Sequence, residues 1–417
     1  MHPGRRIKIL VILAFACALV ATPALPQSAG DGTGKIVITD QNRDQVRLTP
    51  EQRTTVESVI QMPETVRSVR LAKEGSGDQG GAAFVRLPLP DGKQITLART
   101  QPTVKTERGY TWRGQVESSG EPATLLLWND GHLSGHFGYQ GRVFIISHTG
   151  GGVHTMSALD PGKLPPDHGP ETNVIPQPIP EPTVAPFAES DRLALEANSI
   201  VIDVMMLYTK TAASFHIGDA ADLLEMAIER SNETFRNSGI TNVRLRLVHT
   251  EQVDYEEQDA DHFVHLFRMV DGEGPFKGVR KLRNEKRADI VGLVLHSPTG
   301  CGLSTRVGAE AEEAYFIVHH ACAAITHSIA HEVGHIFGAR HDRAIDSSND
   351  PFPYAHGYIN GTKWRDIMSY RAGCGDCPRI PFWSNPRVMY QGEPTGTHAN
   401  DNARVILENA ERVSKFR

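Results

Sequence analysis

The chain has 417 residues, enough for two or three domains that each bury a core of their own. Its formal net charge is −6 and its sequence pI is about 6.3, which gives no reason to expect a nucleic acid partner. No segment combines the length and the apolar character that a membrane span requires.

The first 24 residues have the pattern of a secretory signal peptide. Basic residues at Arg5, Arg6 and Lys8 precede an uninterrupted apolar run over 9–21, and the small residues at 22–24 offer a cleavage site. The apolar run is too short to cross a bilayer, so a membrane anchor is disfavoured. The pattern therefore predicts a secreted protein, exported to the periplasm or the medium.

Residues 25–160 are predicted to form a β-rich domain. Short alternating runs at 83–87, 123–128 and 142–146 are separated by Gly, Asp and Asn turns, and a helix is expected near 49–60. Its histidines are scattered and are expected at the surface rather than on a metal: His132, His136, His148 and His154.

Residues 161–196 form a Pro-rich linker, because nine prolines fall within 161–186. Such a composition predicts a stiff and exposed segment, which is a natural site for proteolytic nicking.

From residue 197 to the C-terminus, predicted strands alternate with predicted helices. Strands are expected at 200–208, 243–248, 288–295 and 315–318, and helices at 220–237, 262–270, 323–337 and 401–415. This alternation predicts an α/β domain with a twisted, largely parallel sheet.

The most informative stretch is 331–342, which reads His-Glu-Val-Gly-His-Ile-Phe-Gly-Ala-Arg-His-Asp. His331 and His335 lie one helical turn apart on one face, so both can bind the same metal ion. Glu332 lies about 100° around the helix, where it can reach a water molecule in the site without being a ligand. This spacing is typical of a catalytic zinc site on a helix.

The residues after the second histidine complete the pattern. Gly338 is expected to end the helix, because glycine accepts the left-handed conformation, and the chain can then return His341 as a third ligand. Three protein ligands leave the fourth zinc position open, which indicates catalysis rather than structure. A bare His-Glu-x-x-His arises by chance in roughly one such chain in twenty, and the added Gly338 and His341 lower this to roughly two in ten thousand. Chance is therefore rejected.

Four cysteines remain once the signal peptide is set aside, an even number that suggests two disulfides in an exported protein. Pairing in chain order, Cys301 with Cys322 and Cys374 with Cys377, is preferred, although four cysteines allow three connectivities and the sequence does not decide between them. The Cys-x-x-Cys spacing could also bind zinc or act in redox chemistry, but a structural role is favoured.

The extended motif resembles the metzincin metalloendopeptidases. Members of that group place a methionine turn beneath the zinc site, and Asp-Ile-Met-Ser-Tyr at 366–370 stands at that place, with Met368 as the turn residue. Asp342 is typical of the reprolysin-like branch, whereas Tyr370 matches a tyrosine that is an extra zinc ligand in astacins and serralysins. The resemblance implies that Tyr370 is a zinc ligand or a hydrogen-bond donor to the transition state.

Within the metzincins, the chain is most similar to the bacterial peptidyl-Asp metalloendopeptidase group. The similarity covers roughly 200–417, and its motifs are Cys-Gly-Leu at 301–303, Ile-Met-Ser-Tyr at 367–370, the run 379–386 and Asp-Asn-Ala-Arg at 401–404. It implies an α/β metzincin-like catalytic domain over 197–417, with a twisted mixed sheet, a zinc helix and a Met-turn. The β-rich region before it resembles the propeptide of such precursors.

The resemblance implies a secreted zinc-dependent endopeptidase that acts on proteins or peptides. One catalytic zinc ion would be bound by His331, His335 and His341, with Glu332 as the general base. No pattern in the sequence supports a structural Ca²⁺ site. A catalytically inactive zinc-binding or adhesive module with the same fold is the alternative, and the intact glutamate and histidines disfavour it.

Substrate is expected to lie extended along an edge strand near 302–307, with 380–386 walling the pocket for the residue after the cleaved bond. If that residue is Asp, as in the group named above, a basic side chain should line the pocket. Arg371 and Arg379 are candidates because they lie near the methionine turn, although a solvated surface position is the default expectation for each.

The β-rich domain is expected to act as an intramolecular inhibitor or chaperone that is lost on maturation, or else as a permanent binding domain. No cysteine occurs between 28 and 196, so a cysteine switch is excluded. Asp167, His168 or steric cover remain as means of blocking the site. Self-processing at the Ser190–Asp191 bond is a further hypothesis.

Overall fold

The computed structural model describes the chain except for residues 1–33, 41–47, 61–64, 75–80, 107, 151–152, 161–162, 168–179, 217–218, 259–260, 324–325 and 376. The predicted signal peptide, His168 and much of the Pro-rich linker lie outside the described residues. Within the described part, none of the helices has the length and apolarity needed to cross a membrane.

The N-terminal part folds into a ten-stranded sheet of order β4-β3-β1-β2-β10-β9-β8-β7-β6-β5. Strand β4 also pairs with β6, so the sheet closes on itself, and all neighbours are antiparallel except β1 and β3. The strands are β1 Gly34–Asp40, β2 Thr65–Glu74, β3 Ala82–Pro88, β4 Gln94–Arg99, β5 Val104–Lys105, β6 Gly109–Val116, β7 Pro122–Trp128, β8 Leu133–Tyr139, β9 Arg142–Gly150 and β10 Val153–Leu159, with helix α1 Pro50–Ile60 after β1.

The interior of this sheet is apolar, as the alternating runs predicted. Trp112 is fully buried at its centre, and its indole N–H donates to the carbonyl of Ala82 across 2.8 Å. Two of the four histidines are also buried, so the surface position expected for His136 and His154 is wrong. His154 can be buried because its Nε2 accepts a hydrogen bond from the backbone N–H of Leu133. A buried polar group needs such a partner.

The C-terminal part is built on a five-stranded mixed sheet of order β12-β11-β13-β15-β14. Four strands are parallel, and β14 runs antiparallel to β15 at the edge. The strands are β11 Ile200–Thr209, β12 Val243–Val253, β13 Ile290–Leu295, β14 Gly302–Ser304 and β15 Tyr315–His319. Every residue of β13 is buried, as expected for a parallel strand covered on both faces.

Helices cover both faces of this sheet because successive side chains of a strand point to opposite sides. Val204 and Met206 of β11 face one core, whereas Met205 and Leu207 face the other. The first core receives α4, α8 and α9, and the second receives α5 and α6. The helices are α2 Glu189–Glu196, α3 Lys210–Ser214, α4 Ala220–Asn237, α5 His262–Asp271, α6 Val279–Lys286, α7 His320–Ala323, α8 Ser328–Phe337 and α9 Asn402–Val413.

Two short hairpins complete the domain near the end of the chain: β16 Ile359–Asn360 with β17 Trp364–Arg365, and β18 Met389–Tyr390 with β19 Glu393–Pro394. The helix that carries the histidine motif is shorter than predicted, beginning at Ser328 rather than near 323. The difference arises at His327, which has a left-handed backbone with φ of 61° and separates α8 from the short α7.

The two parts of the chain contact each other along helix α4. Arg113 of β6 pairs with Glu229, and His132 lies 2.9 Å from a carboxylate oxygen of Asp222. An apolar contact joins Trp128 of the N-terminal sheet to Met226 of the helix. The N-terminal sheet therefore covers a face of the C-terminal part that is both charged and apolar.

Candidate metal centre

Three histidine side chains of α8 and the loop after it converge on one point. His331 and His335 lie on the same face of α8, and Gly338, with φ of 117°, ends the helix by donating its N–H to the carbonyls of Gly334 and His335. The chain then returns His341. Its Nε2 atom lies 3.2 Å from Nε2 of His331 and 3.0 Å from Nε2 of His335.

The hydrogen bonds made by the Nδ1 atoms of His331 and His335 show which ring nitrogens face the cluster. Nδ1–H of His331 donates to the carbonyl of Ile367 across 2.7 Å, and Nδ1–H of His335 donates to the carbonyl of Ala339 across 2.9 Å. Their Nε2 lone pairs therefore point towards His341, which is how protein ligands are usually oriented on a metal. Two nitrogens on one tetrahedral zinc ion lie about 3.3 Å apart, so the donor set fits zinc. Burial lowers the pKa of His335 to about 4, which keeps the ring neutral.

Glu332 is enclosed beside the three histidines. It is 1% exposed, and burial raises its pKa to about 8. The hydroxyl of Ser304, on edge strand β14, lies 2.9 Å from the carboxylate and 2.7 Å from the backbone carbonyl of the same glutamate. A β-carbon at Gly302 would stand 2.9 Å from the carboxyl carbon. The edge strand thus fixes this side chain, and only glycine leaves room for it.

The segment after β17 passes beneath the cluster. The hydroxyl of Tyr370 lies 3.0 Å from Nε2 of His341, and its backbone N–H donates to Asp342 across 2.9 Å. Met368 is fully buried, and a β-carbon at Gly334 of α8 would lie 3.1 Å from its sulfur. Asp342, directly after the third histidine, therefore ties the loop that carries His341 to this segment.

The structure contains the disulfides Cys301–Cys322 and Cys374–Cys377, which is the pairing in chain order. The first joins the start of edge strand β14 to α7. The second closes a short loop between Tyr370 and Arg379.

Two ion pairs near this centre have no counterpart among the sequence-based predictions. Arg365, to which no pattern drew attention, pairs with Asp167 of the linker. Arg379 pairs with the same aspartate and has a side chain only 9% exposed, so the expected surface position is wrong for this arginine, whereas Arg371 is partly exposed. Neither ion pair could be found locally, because the partners lie far apart in the sequence.

A second group of three histidines could also hold a metal ion: His296, His319 and His320. Nδ1 of His296 lies 3.0 Å from Nε2 of His320, and Phe215 stacks on both rings. Burial lowers the pKa of His319 to about 3. The adjacent pair at 319–320 was the sequence signal for it. A hydrogen bond between neutral rings accounts for the observed distance without an ion.

Comparison with known proteins agrees with this geometry. Residues 198–384 match the model of Reprolysin_5, metallo-peptidase family M12. The match to this metallopeptidase family covers residues 198–384, and the chain is a zinc metalloendopeptidase.

Relatives that are similar to this chain have a more specific name, peptidyl-Asp metalloendopeptidase. A peptidyl-Asp metalloendopeptidase of Stenotrophomonas maltophilia is 29% identical over 351 residues, which cover 78% of this chain and 81% of that protein. Another from Xanthomonas campestris pv. campestris is 28% identical over 378 residues, covering 87% and 89% of the two chains. Among solved structures, metalloproteinase-II from Bacteroides fragilis covers 72% of this chain and 86% of its own at 11% identity and a TM-score of 0.41, too low to support an inference.

Proposed function

We propose that this protein is a secreted zinc endopeptidase, made as a precursor, that cleaves peptide bonds preceding an aspartate. The observation that carries the proposal is the convergence of three histidine Nε2 atoms within 3.2 Å, beside a buried glutamate. The resemblance of the first 24 residues to a signal peptide and the two disulfides support export.

His331, His335 and His341 would hold the zinc ion, which when bound polarises the substrate carbonyl and lowers the pKa of a water to about 7. Glu332 takes a proton from the attacking water and gives it to the leaving nitrogen. The raised pKa of this carboxyl suits both transfers, since it can hold a proton near neutral pH. Ser304 and the bare backbone of Gly302 keep the carboxyl in one orientation.

Tyr370 is proposed to assist as a hydrogen-bond donor to the oxyanion of the transition state. Its hydroxyl lies 3.0 Å from Nε2 of His341, and burial together with Glu332 raises its pKa well above the ordinary range, so it remains protonated. Met368 is proposed as the residue of a Met-turn that supports the histidines from below, because it packs against Gly334 between the two helical ligands.

Substrate is proposed to bind extended along β14. Among the described residues this strand pairs with β15 on one side and has no strand on the other, so its outer edge offers backbone donors and acceptors to a peptide. The preference for aspartate is supported by the name of the relatives and by Arg365 and Arg379, which both pair with Asp167.

The N-terminal sheet and its linker are proposed to inhibit the enzyme in the precursor. The linker carbonyl of Pro166 accepts the N–H of Cys301 across 2.8 Å, so the linker lies directly against the start of the proposed substrate strand. The Ser190–Asp191 bond is exposed in the first turn of α2 and remains our candidate for maturation. N-terminal sequencing of the secreted form tests this, because any first residue other than Asp191 contradicts it.

The function is tested with purified secreted protein and an unstructured protein substrate, followed by mapping of the cut sites. We expect cleavage by the wild type and its loss, by about 100- to 10,000-fold in kcat/KM, in a Glu332→Gln variant that retains zinc. Glu411→Gln, an exposed acid on α9 paired only with Lys415 among the described residues, is the matched control and should cleave normally. A zinc-loaded, matured wild type that cuts nothing would overturn the proposal in favour of an inactive binding module.

A further inference from the structure

The linker residue Asp167 is bound by two arginines whose side chains are largely enclosed. One carboxylate oxygen lies 3.2 Å from a guanidinium nitrogen of Arg365, and the other lies 2.9 Å from Arg379. The backbone N–H of Arg371 donates to the first oxygen across 3.4 Å. The side chains of Asp167, Arg365 and Arg379 are 10%, 5% and 9% exposed. Both carboxylate oxygens of Asp167 therefore contact arginines. In this structure Asp167 binds these arginines, which differs from the hypothesis that it blocks the zinc site directly.

The two arginines are held in place independently of the aspartate. Their backbones are neighbours in an isolated β-bridge, with the N–H of Arg365 donating to Pro378 across 3.0 Å and the N–H of Ile380 donating to Arg365 across 2.8 Å. The guanidinium of Arg379 donates to the carbonyl of Thr326 across 3.0 Å, and that of Arg365 donates to Ser369. The positive groups would therefore stay where they are if Asp167 left, which is the preorganisation a binding site requires.

The site has an excess of positive charge. A cavity of about 690 Å³ adjoins it, and the charged residues that line it are Asp167, Arg230, Glu233, Arg365, Arg371 and Arg379. Without Asp167, four arginines and one acid would remain in this lining. Nε of Arg365 and Nε of Arg379 have no hydrogen-bond partner among the described residues. Buried guanidinium groups are costly without a carboxylate, so the cavity favours an anionic occupant.

The site also lies next to the proposed catalytic groups. Asp167 contributes to the raised pKa of Tyr370, after burial and Glu332, and Arg379 acts electrostatically on Glu332. Pro166, the residue before Asp167, is bound by Cys301 at the start of the proposed substrate strand. The linker therefore presents a Pro–Asp sequence in the cleft, with the aspartate side chain inserted between the arginines.

We propose that Arg365 and Arg379 form the subsite that binds the carboxylate of the substrate residue after the cleaved bond, and that Asp167 occupies this subsite in the precursor as a substrate-like side chain. The proposal rests on the proposed endopeptidase function. Planar guanidinium groups pair well with a carboxylate. The depth at which Arg365 and Arg379 lie determines how long a substrate side chain must be to contact them. An asparagine of the same size lacks the charge, and a glutamate adds one methylene.

The first test compares three peptides that differ only in the residue after the cut: Asp, Asn or Glu. The matured wild-type enzyme should cleave the Asp peptide with a kcat/KM about 10- to 100-fold above that of the Asn peptide, since hydrogen bonds to charged groups are worth that much. Arg379→Gln should bring this ratio close to one. Arg283→Gln is the control, because Arg283 is fully buried among backbone carbonyls of the same domain and lies outside the cavity lining.

A ratio does not depend on the fraction of enzyme that folds, and the wild-type ratio needs no variant at all. Cleavage with equal rates on Asp and Asn peptides would overturn the subsite and the proposed aspartate preference, while the endopeptidase activity itself would stand. An Asp preference that survives Arg379→Gln and Arg365→Gln unchanged would overturn the assignment to these arginines. Absence of any cleavage would instead count against the proposed function.

The second test uses the full-length chain with Glu332→Gln, which should not process itself. A labelled peptide with an Asp after the cut should bind about tenfold or more tightly to the Glu332→Gln, Asp167→Ala double variant than to Glu332→Gln alone, because the subsite is vacated. Asp91→Ala, at an exposed turn of the N-terminal sheet, is the matched control and should bind no better than the single variant. Equal binding with and without Asp167 would overturn the occupancy.

Discussion

The backbone of Gly302 lies against the carboxyl group of Glu332, so closely that a β-carbon at this glycine would stand 2.9 Å from the carboxyl carbon. Edge strand β14 therefore touches the proposed general base on one side and, by our proposal, the substrate on the other. The same short strand supplies Ser304, whose hydroxyl lies 2.9 Å from that carboxyl group.

We expect Gly302→Ala to lower kcat/KM by about 100-fold, because a displacement of about 1 Å of a catalytic group has that effect. Zinc content should not change, since the three atoms nearest the added methyl group all belong to Glu332. Peptide cleavage and metal analysis on the same preparation measure both quantities. Gly278→Ala is the control, because a β-carbon there meets nothing within 4 Å. An unchanged kcat/KM in the Gly302 variant would contradict the proposed role of Glu332.

Tyr370→Phe distinguishes a donor from a ligand. If the hydroxyl donates to the oxyanion, its loss should lower kcat by about 100- to 1,000-fold with little change in KM or zinc affinity. As a zinc ligand, its loss should weaken zinc binding in a competition with a chelator. Tyr390→Phe, a partly exposed tyrosine of hairpin β18–β19, is the matched control. A variant with full kcat would remove Tyr370 from the mechanism.

The zinc content of the protein distinguishes the two histidine groups that could hold a metal ion. We expect one zinc ion per chain, lost on treatment with a strong chelator together with activity and regained with added zinc. His331→Ala should abolish stable zinc binding, whereas His296→Ala should leave it unchanged, because its contact with His320 is accounted for by a hydrogen bond. Atomic absorption on the three proteins checks this. Two zinc ions in the wild type and one in His296→Ala would assign an ion to the second group.

The contact between the N-terminal sheet and the catalytic domain should weaken in acid. His216, in a small cavity between them, has its pKa lowered to about 4 by burial, and burial followed by Arg230 and His327 also lowers the pKa of His136. A lowered histidine pKa means that the contact is complete above the ordinary value of about 6.5 and is lost as pH falls towards 4. The other titratable groups facing His216 are His148, Asp219, Asp222 and His320.

Asp222 opposes this trend, because burial raises its pKa and its protonation in acid therefore favours the contact. The measurement uses full-length Glu332→Gln protein whose linker has been cut by an added protease. Size-exclusion chromatography should show the two parts together at pH 7.5 and increasingly separated below pH 6. His216→Gln should flatten this dependence. Complexes equally stable at pH 7.5 and 5 would contradict the prediction.

The convergence of the three histidines could be predicted from the sequence because its geometry is local. His331 and His335 are separated by one helical turn, and the turn at Gly338 follows from the conformational freedom of glycine. The mixed sheet of the catalytic part also followed from local alternation of strands and helices. The start of α8 did not, because the left-handed backbone of His327 has no local signal.

The sequence offered Arg379 as a candidate for the carboxylate subsite, but it did not indicate Arg365 or the aspartate that pairs with both arginines. The hydrogen bond from Arg371 to Asp167 joins residues 204 positions apart, and the ion pairs of Arg365 and Arg379 span similar separations. An arginine in a single sequence carries no mark of the partner that will bury it. The closed order of the N-terminal strands, with β4 next to both β3 and β6, was beyond local patterns for the same reason.

Both disulfides adjoin the cavity that Arg365 and Arg379 help to line. Cys301 and Cys377 belong to its lining, and each is bonded to a cysteine outside it, Cys322 and Cys374 respectively. A newly made chain in a reducing compartment would lack both of these covalent closures, so the walls beside Arg365 and Arg379 would be tied only by weaker bonds. Under the proposed export, formation of the disulfides would then set the moment at which the chain acquires its selectivity, and proteins inside the cell would not meet the completed protease.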